Sequence, residues 1–257
     1  MDPLTWSDIE QAAFLQRIEC SEVAAVNLPT LRELHAAHVA KIPFETLDIF
    51  SGKQFSLSIS DLYDKIVRRR RGGYCYELNG FFFHALREIG FEVSMHNAQL
   101  YDSKQQVILT SQHMVLIVKL EEPWLVDVGY GNGFTEPLLL ESREPQQQGH
   151  RTFRCLQKRG QFIVQERVEG VWEPWYVFAQ EPKEIADFEG RNAFHQTSQD
   201  SVFFGKRICM LARGNETIEL IGNQLIRRSP SGKRMEIIQE KEIPLLLQME
   251  FGIGPAL

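Results

Sequence analysis

The sequence predicts an α+β chain: a helical first third, a long strand-rich middle and a mixed final segment. Three observations carry this. Apolar residues recur at helical spacing up to Gly90, short β-type runs separated by turn residues follow from Phe91, and strand and helix signals alternate near the C-terminus. At 257 residues, with 43% apolar and 24% charged side chains, the chain has the composition of a soluble globular protein with a substantial core.

Ser7 and Asp8 stand where a cap belongs, before a helix carrying Ile9, Ala12, Ala13, Leu15 and Ile18. Pro29-Thr30 opens a second helix through Leu31, Leu34, His35 and His38, stopped before Ile42-Pro43. His35 and His38 share one face, but no third ligand lies nearby, so packed or hydrogen-bonded histidines rather than a metal are expected. A further helix runs from Ile59 to Val67. After Gly72-Gly73, Leu78, Phe82, Ala85, Leu86 and Ile89 form an apolar stripe ended by Gly90. Strands are expected at Val107 to Leu109, Met114 to Leu120, Trp124 to Val128, Phe153 to Leu156, Phe162 to Val164 and Trp172 to Phe178. Short strands at this spacing suit a sandwich or a barrel. Beyond them come strands at Ile208 to Leu211 and Thr217 to Ile221, then a helix over Ile243 to Met249.

The net charge of −6 disfavours nucleic acid as a partner. The one basic run, Arg68 to Arg71, reads at least in its first three residues as a solvated helix end. No stretch has the roughly 20 apolar residues of a membrane span, and Met1-Asp2-Pro3-Leu4 lacks the basic-then-apolar layout of a signal peptide. Cys20, Cys75, Cys155 and Cys209 are widely spaced, which argues against zinc or a redox pair and for free thiols in a reducing compartment, the cytoplasm.

The sharpest local feature is Arg71-Gly72-Gly73-Tyr74-Cys75-Tyr76-Glu77-Leu78-Asn79. Two glycines break the chain, and a cysteine then lies in the first turn of an amphipathic helix, where unpaired N–H groups favour thiolate over thiol. By itself this is equally a small core residue. A nucleophilic thiolate wants an imidazole, and the imidazole wants a carboxylate to fix its tautomer. His113 begins one strand and Asp127 sits inside the next, where a buried acid demands a partner. If Leu120-Glu121-Glu122 closes the hairpin, Asp127 falls opposite Val115 and shares a face with His113. A slip of one residue would separate them. The three residue types together point to a catalytic cysteine nucleophile rather than to structural residues. The Gly129-Tyr130-Gly131-Asn132-Gly133 segment has neither the spacing of a dinucleotide fingerprint nor a P-loop lysine, and reads as a loop beside the acid.

These segments closely resemble the arylamine N-acetyltransferase family. The resemblance lies in the Arg71 to Asn79 motif, in Leu31-Arg32-Glu33-Leu34-His35-Ala36-Ala37-His38, in Ile42-Pro43-Phe44-Glu45-Thr46-Leu47-Asp48 and in Val126-Asp127-Val128-Gly129-Tyr130-Gly131. It runs from about residue 10 to the C-terminus and weakens after about residue 140. The order and spacing of Cys75, His113 and Asp127 match the family's triad. Thr46 stands where the family commonly has Asn. The resemblance implies a cysteine-protease-like core in three parts: a helical bundle over 1–90 carrying Cys75, an antiparallel β-barrel over 91–195 carrying His113 and Asp127, and an α/β lid over 196–257. It implies ping-pong acetylation of arylamines and arylhydrazines by acetyl-CoA, without a metal, in xenobiotic metabolism. It also implies an Arg71–Glu45 ion pair under the cysteine loop, Asn79 orienting the triad, Phe44 and Tyr130 lining the amine pocket, and Thr110, Ser111 and Gly131 along the CoA channel. The rival expectations are a transglutaminase-like hydrolase or amidase and a non-catalytic binding protein. The oligomeric state is left open.

Overall fold

The computed structural model describes residues 6–20, 23–102, 107–142 and 144–254. Helix α1 (Asp8–Ile18) starts as expected at Ser7, whose hydroxyl accepts the Glu10 N–H while Glu10 returns to the Ser7 N–H, a reciprocal cap. Helix α2 (Leu28–Lys41) begins slightly earlier than Pro29, because the Asn27 side chain caps it by accepting the Thr30 N–H. A two-residue strand, β1 (Phe44–Glu45), and a short helix, α3 (Leu47–Phe50), follow. The expected helix from Ile59 is α4 (Ile59–Tyr63), which widens into a π-helical turn, Asp64–Arg68. Arg68, its last residue, and Arg69 and Arg70 after it are exposed. Arg71 instead turns inward. Helix α5 (Cys75–Ile89) ends at Gly90, whose φ of 108° provides the left-handed cap.

The middle of the chain is one continuous antiparallel sheet. Its strands are β2 (Glu92–Asp102), β3 (Val107–Lys119), β4 (Pro123–Val126), β5 (Leu138–Leu139), β6 (Gln146–Gln148), β7 (Arg151–Lys158), β8 (Gln161–Val168) and β9 (Val171–Lys183). Their order is β5-β4-β3-β2-β9-β8-β7-β6. The sheet curls until its two ends meet: the Gln146 side chain on β6 binds the Leu139 N–H at 2.7 Å and the Leu139 carbonyl at 2.9 Å on β5. A barrel, nearly closed, is therefore the outcome of the sandwich-or-barrel expectation. Strand β2 was absent from the expected set although it lies at the centre of the sheet. Its apolar alternation changes phase where His96 and Asn97 adjoin, and a bulge shifts its register against β9 between His96 and Ala98.

Alternate residues of β3 serve two cores. Val115 and Ile117 join Leu125, Phe153, Phe162 and Phe178 inside the barrel. Met114, Leu116 and Val118 face the other way, into the cluster that holds Leu78, Phe82 and Leu86 of α5. Strand β3 thus carries α5 against the barrel wall.

Helix α6 (Ala186–Thr197) leads to a second antiparallel sheet, β1-β10-β11-β12-β13, formed by β10 (Ile208–Arg213), β11 (Glu216–Ile221), β12 (Gln224–Ser229) and β13 (Gly232–Ile237) with β1 at its edge. Helix α7 (Ile243–Phe251) supplies Ile243 and Phe251 to a third core with Cys209, Leu211, Leu220 and Leu225. Helix α6 was not anticipated. Among the described residues, no helix is long and apolar enough to cross a membrane.

Candidate active site

Cys75 is the first residue of α5. The turn leading to it fits because its glycines have no Cβ: one on Gly72 would lie 1.9 Å from the Pro43 carbonyl oxygen, and one on Gly73 would lie 2.7 Å from the Glu77 Cβ. The Glu77 carboxylate accepts the Tyr74 N–H at 3.1 Å, tying the turn to the helix start.

Below this turn lies a buried charge network. Arg71 donates through Nε and Nη2 to Glu45 Oε1 at 2.9 and 2.6 Å, and through Nη2 to Asp48 at 3.1 Å. Lys65, brought inward by the π-helical turn, reaches Asp48 at 2.8 Å and Glu77 at 2.7 Å. Burial opposes the Lys65 charge, but Glu77, Glu45 and Asp48 outweigh it and keep the ammonium protonated. The expected Arg71–Glu45 pair is thus one edge of a five-residue cluster. Thr46 has its own structural role: its hydroxyl donates to the Lys206 carbonyl at 2.9 Å and accepts the Ile208 N–H at 3.1 Å, pinning β1 to the start of β10.

The β3–β4 hairpin closes with Lys119 opposite Pro123 and Leu116 opposite Val126, the register that sets Asp127 across from Val115. His113 Nε2 donates to Asp127 Oδ2 at 2.7 Å, and both side chains are almost wholly buried. Burial disfavours a charged imidazole, but the Asp127 charge and hydrogen bond, together with Cys75, push the His113 pKa up to about 10. Burial likewise opposes the Asp127 carboxylate, and His113, Asn79 and the Gly129 N–H overcome it and hold the carboxyl below its ordinary value. Cys75 lies beside this pair, its Cα 2.8 Å from where a Cβ on Gly129 would stand, and adds to the upward shift of His113; with Nε2 taken by Asp127, Nδ1 is the nitrogen left to face the thiol. The other cysteines lack such partners. Burial pushes Cys20 up to about 11 and Cys155 up to about 12, and raises Cys209 well above the ordinary thiol range.

Two expectations are corrected in detail: His113 lies well inside β3 (Val107–Lys119) rather than at a strand start, and Asp127 lies just past the end of β4, not inside a strand. Asn79 of α5 is inserted at the register position where Met114 and Val128 would next pair. Its Nδ2 donates to the Met114 carbonyl at 2.7 Å and to Asp127 Oδ1 at 2.9 Å, and its Oδ1 accepts the Val128 N–H at 2.9 Å. The helix that carries the cysteine thereby completes the strand pair that carries the histidine and aspartate.

His35 is the hydrogen-bonded member of the expected histidine pair, and its support of Asp127 is the part that the sequence does not show. Burial lowers its pKa to about 4, so the ring is neutral. Nδ1 donates to the Thr135 carbonyl at 3.0 Å and Nε2 accepts the Asp127 N–H at 3.4 Å. His38 is buried against Phe82. Tyr176 was also missed. Its fully buried ring lies 5.4 Å from that of His113, and burial with the Asp127 charge drives its phenol pKa far up. Its position in an ordinary apolar strand gave no signal.

Tyr130 packs edge-on to His113 at 5.6 Å and stacks on Trp175 at 4.6 Å. Phe44, on β1, lies beside Gly131, whose φ is 83° and where a Cβ would meet Met210 Sδ at 2.8 Å and Phe44 at 3.4 Å. Tyr130 thus lies against His113, while Phe44 adjoins Gly131 and also bridges Gly73 in the cysteine turn. Thr110 and Ser111 belong to β3, but their side chains lie outside the described residues. Among the described residues no group of three or more His, Cys, Asp or Glu side chains is arranged to hold a metal ion.

A family model described as N-acetyltransferase matches residues 27–255. The chain is 32% identical over 248 residues to the arylamine N-acetyltransferase / N-hydroxyarylamine O-acetyltransferase of Salmonella typhimurium, spanning 94% of this chain and 88% of the relative. The chain belongs to the arylamine N-acetyltransferase family. The solved structure of the Salmonella typhimurium arylamine N-acetyltransferase superposes with a TM-score of 0.91 at 29% identity, covering 96% of this chain and 92% of that one. The Mycobacterium marinum arylamine N-acetyltransferase in complex with CoA superposes with a TM-score of 0.87, also at 29% identity, over 95% and 92% of the two chains. Arylamine N-acetyltransferase structures thus share the helical segment, the barrel and the C-terminal sheet described above.

Proposed function

We propose that this protein acetylates aromatic amines and hydrazines with acetyl-CoA as donor, by a two-step exchange through a thioester on Cys75. The observation that carries this reading is the meeting of Cys75, at the N-terminus of α5, with an imidazole held protonated by a buried aspartate. In the first step the Cys75 sulfur attacks the thioester carbonyl of acetyl-CoA. Backbone N–H groups at the helix start stabilise the oxyanion, and the C–S bond to CoA breaks. The CoA sulfur leaves with a proton from His113. In the second step the amine nitrogen attacks acetyl-Cys75 and gives up a proton to His113. The tetrahedral adduct then expels the Cys75 sulfur, releasing the amide. Asp127 holds the ring tautomer and supports the imidazolium charge throughout.

Phe44 and Tyr130 are the walls offered to the aromatic acceptor, and Thr110, Ser111 and Gly131 border the pantetheine path. The division near residues 90 and 195 into a helical part, a barrel and a lid is supported by the separate apolar clusters of the barrel interior and of the C-terminal sheet, while the helical core is shared with the outer face of β3 and β4. The second boundary falls near the end of α6. Free cysteines suit work in the cytoplasm, and the role envisaged is turnover of foreign amines.

The test is intact-mass analysis after brief exposure to acetyl-CoA. One added acetyl group, mapped to Cys75, persisting in water and discharged by an aromatic amine, is the expected result. Labelling of another cysteine with Cys75 untouched would refute the mechanism. Discharge by water as fast as by amine would identify a hydrolase instead.

A further inference from the structure

Tyr76 follows the nucleophile, and its side chain leaves α5 in the direction of His113's strand. It is fully buried. Its hydroxyl donates to the carbonyl of Gln112, the residue before His113, at 3.1 Å. Burial, with Cys75 next to it, raises its phenol pKa, so it remains a neutral donor. The ring is held from the far side by α6: Phe188 lies 5.2 Å away and His195 6.2 Å away, centroid to centroid. His195 is itself fixed, with Nδ1 2.9 Å from the Ser201 hydroxyl and Phe203 stacked edge-on at 5.0 Å. On the other flank of Cys75, the Tyr74 hydroxyl donates to Asn192 of the same helix at 2.6 Å. Both neighbours of the nucleophile are thus gripped by α6, but only Tyr76 reaches across to the backbone that carries the base.

We propose that Tyr76 is a positioning residue for acetyl transfer: clamped by Phe188 and His195, its phenol spans from the Cys75 turn to the Gln112 carbonyl and sets the spacing between Cys75 and His113. Asn79 joins α5 to the same hairpin one helical turn further on, through Met114 and Val128. Together the two bonds bracket His113 along β3, one on the residue before it and one on the residue after. The β2 ladder and Asp127 hold His113 from the barrel side, so these two bonds are what fix its distance from α5. Displacements on the order of 1 Å in such a constellation cost about 100-fold in rate. The loss of one of two restraints is therefore expected to cost about tenfold.

The proposal rests on the acetyltransfer reading, and the experiment separates the two. Cys75 acetylation is followed by stopped flow with p-nitrophenyl acetate, reading p-nitrophenolate release, in wild type, Tyr76→Phe and Phe188→Leu, with urea unfolding midpoints measured alongside. No burst in wild type would overturn the acetyltransfer reading itself. With a wild-type burst, Tyr76→Phe is expected to lower the saturating acetylation rate about tenfold, with the half-saturating donor concentration within twofold of wild type. Phe188→Leu keeps the hydroxyl but releases the ring, and is expected to slow the same step while leaving donor saturation unchanged. It is read on its own should Tyr76→Phe not fold. Folded variants whose saturating rate stays within twofold of wild type, whatever their unfolding midpoints, would overturn the role of Tyr76. So would a loss expressed wholly in donor saturation.

Discussion

Asn79 offers the most searching test of how this site is held together. Its side chain makes three hydrogen bonds in a fully buried position, at 2.7, 2.9 and 2.9 Å. Asn79→Ala would leave the Met114 carbonyl and the Val128 N–H without partners and would take one donor from Asp127, which keeps the Gly129 N–H at 3.0 Å. Each buried neutral group left unsatisfied costs about 1–3 kcal/mol. Allowing for relaxation and entry of a water, the variant should lose about 3–5 kcal/mol of unfolding free energy. Asn79→Asp restores an acceptor for Val128 but sets a second carboxylate against Asp127 and the Met114 carbonyl. At neutral pH it should be less stable than the alanine variant, and it should recover as the pH falls and the introduced acid takes up a proton. Urea unfolding at pH 7 and at pH 5.5 measures all of this, with Cys75 acetylation followed by mass on the same samples. The stability order at pH 7 is expected to be Asn, then Ala, then Asp. An alanine variant within 1 kcal/mol of wild type, or an aspartate variant more stable than alanine at pH 7, would refute the account of Asn79 as the polar link between α5 and the β3–β4 hairpin.

Asp127→Asn should keep the fold but slow acetyl-enzyme formation by about 10³–10⁴-fold, as expected when an imidazole loses its supporting carboxylate; rapid-quench mass spectrometry checks this. Gly129→Ala places a Cβ 2.7 Å from Asn79 Nδ2 and 2.8 Å from the Cys75 Cα. It should force α5 away from the loop, with at least a tenfold loss of acetylation and a lowered unfolding midpoint. The pH dependence of stability follows from His113, whose folded pKa of about 10 exceeds its unfolded value. The stability it adds is fully present below about pH 6.5 and is lost as pH rises through about 10, at up to about 1.4 kcal/mol per pH unit. The stability difference between wild type and His113→Gln, measured by urea unfolding across this window, should therefore shrink as pH rises.

The sequence was most informative where local chemistry decides local structure. Ser7 capping α1, Gly90 ending α5 and the loop Leu120-Glu121-Glu122 each declare themselves within a few residues. The register of the β3–β4 hairpin followed from that loop, and with it the shared face of His113 and Asp127. The illegible parts depend on partners distant in the chain. Strand β2 pairs on both sides and takes its stability from β3 and β9, so the change of phase at His96 and Asn97 concealed it. Helix α6 has few apolar residues on the face it buries, and Asn192 and His195 turn inward only because Tyr74 and Ser201 are there to meet them. His35 could not be read as a support for Asp127, because their contact spans 92 positions.

The placement of Asp127 shows why such a site resists reading from one strand at a time. A carboxylate inside a regular strand would spend its backbone N–H and that of its neighbour on the ladder. Here the ladder stops at Val126, and the released groups are taken up by His35 and Asn79 from two different helices. The acid's side chain then receives three donors: Asn79, the Gly129 N–H and His113. Two of these come from neutral groups and compensate for burial, which leaves the imidazolium as the balancing charge. Removing a neutral donor should therefore mainly cost stability. Removing His113 should leave an uncompensated buried carboxylate and raise the Asp127 pKa, a distinction that carboxyl titration by NMR in the Asn79→Ala and His113→Gln variants can read directly.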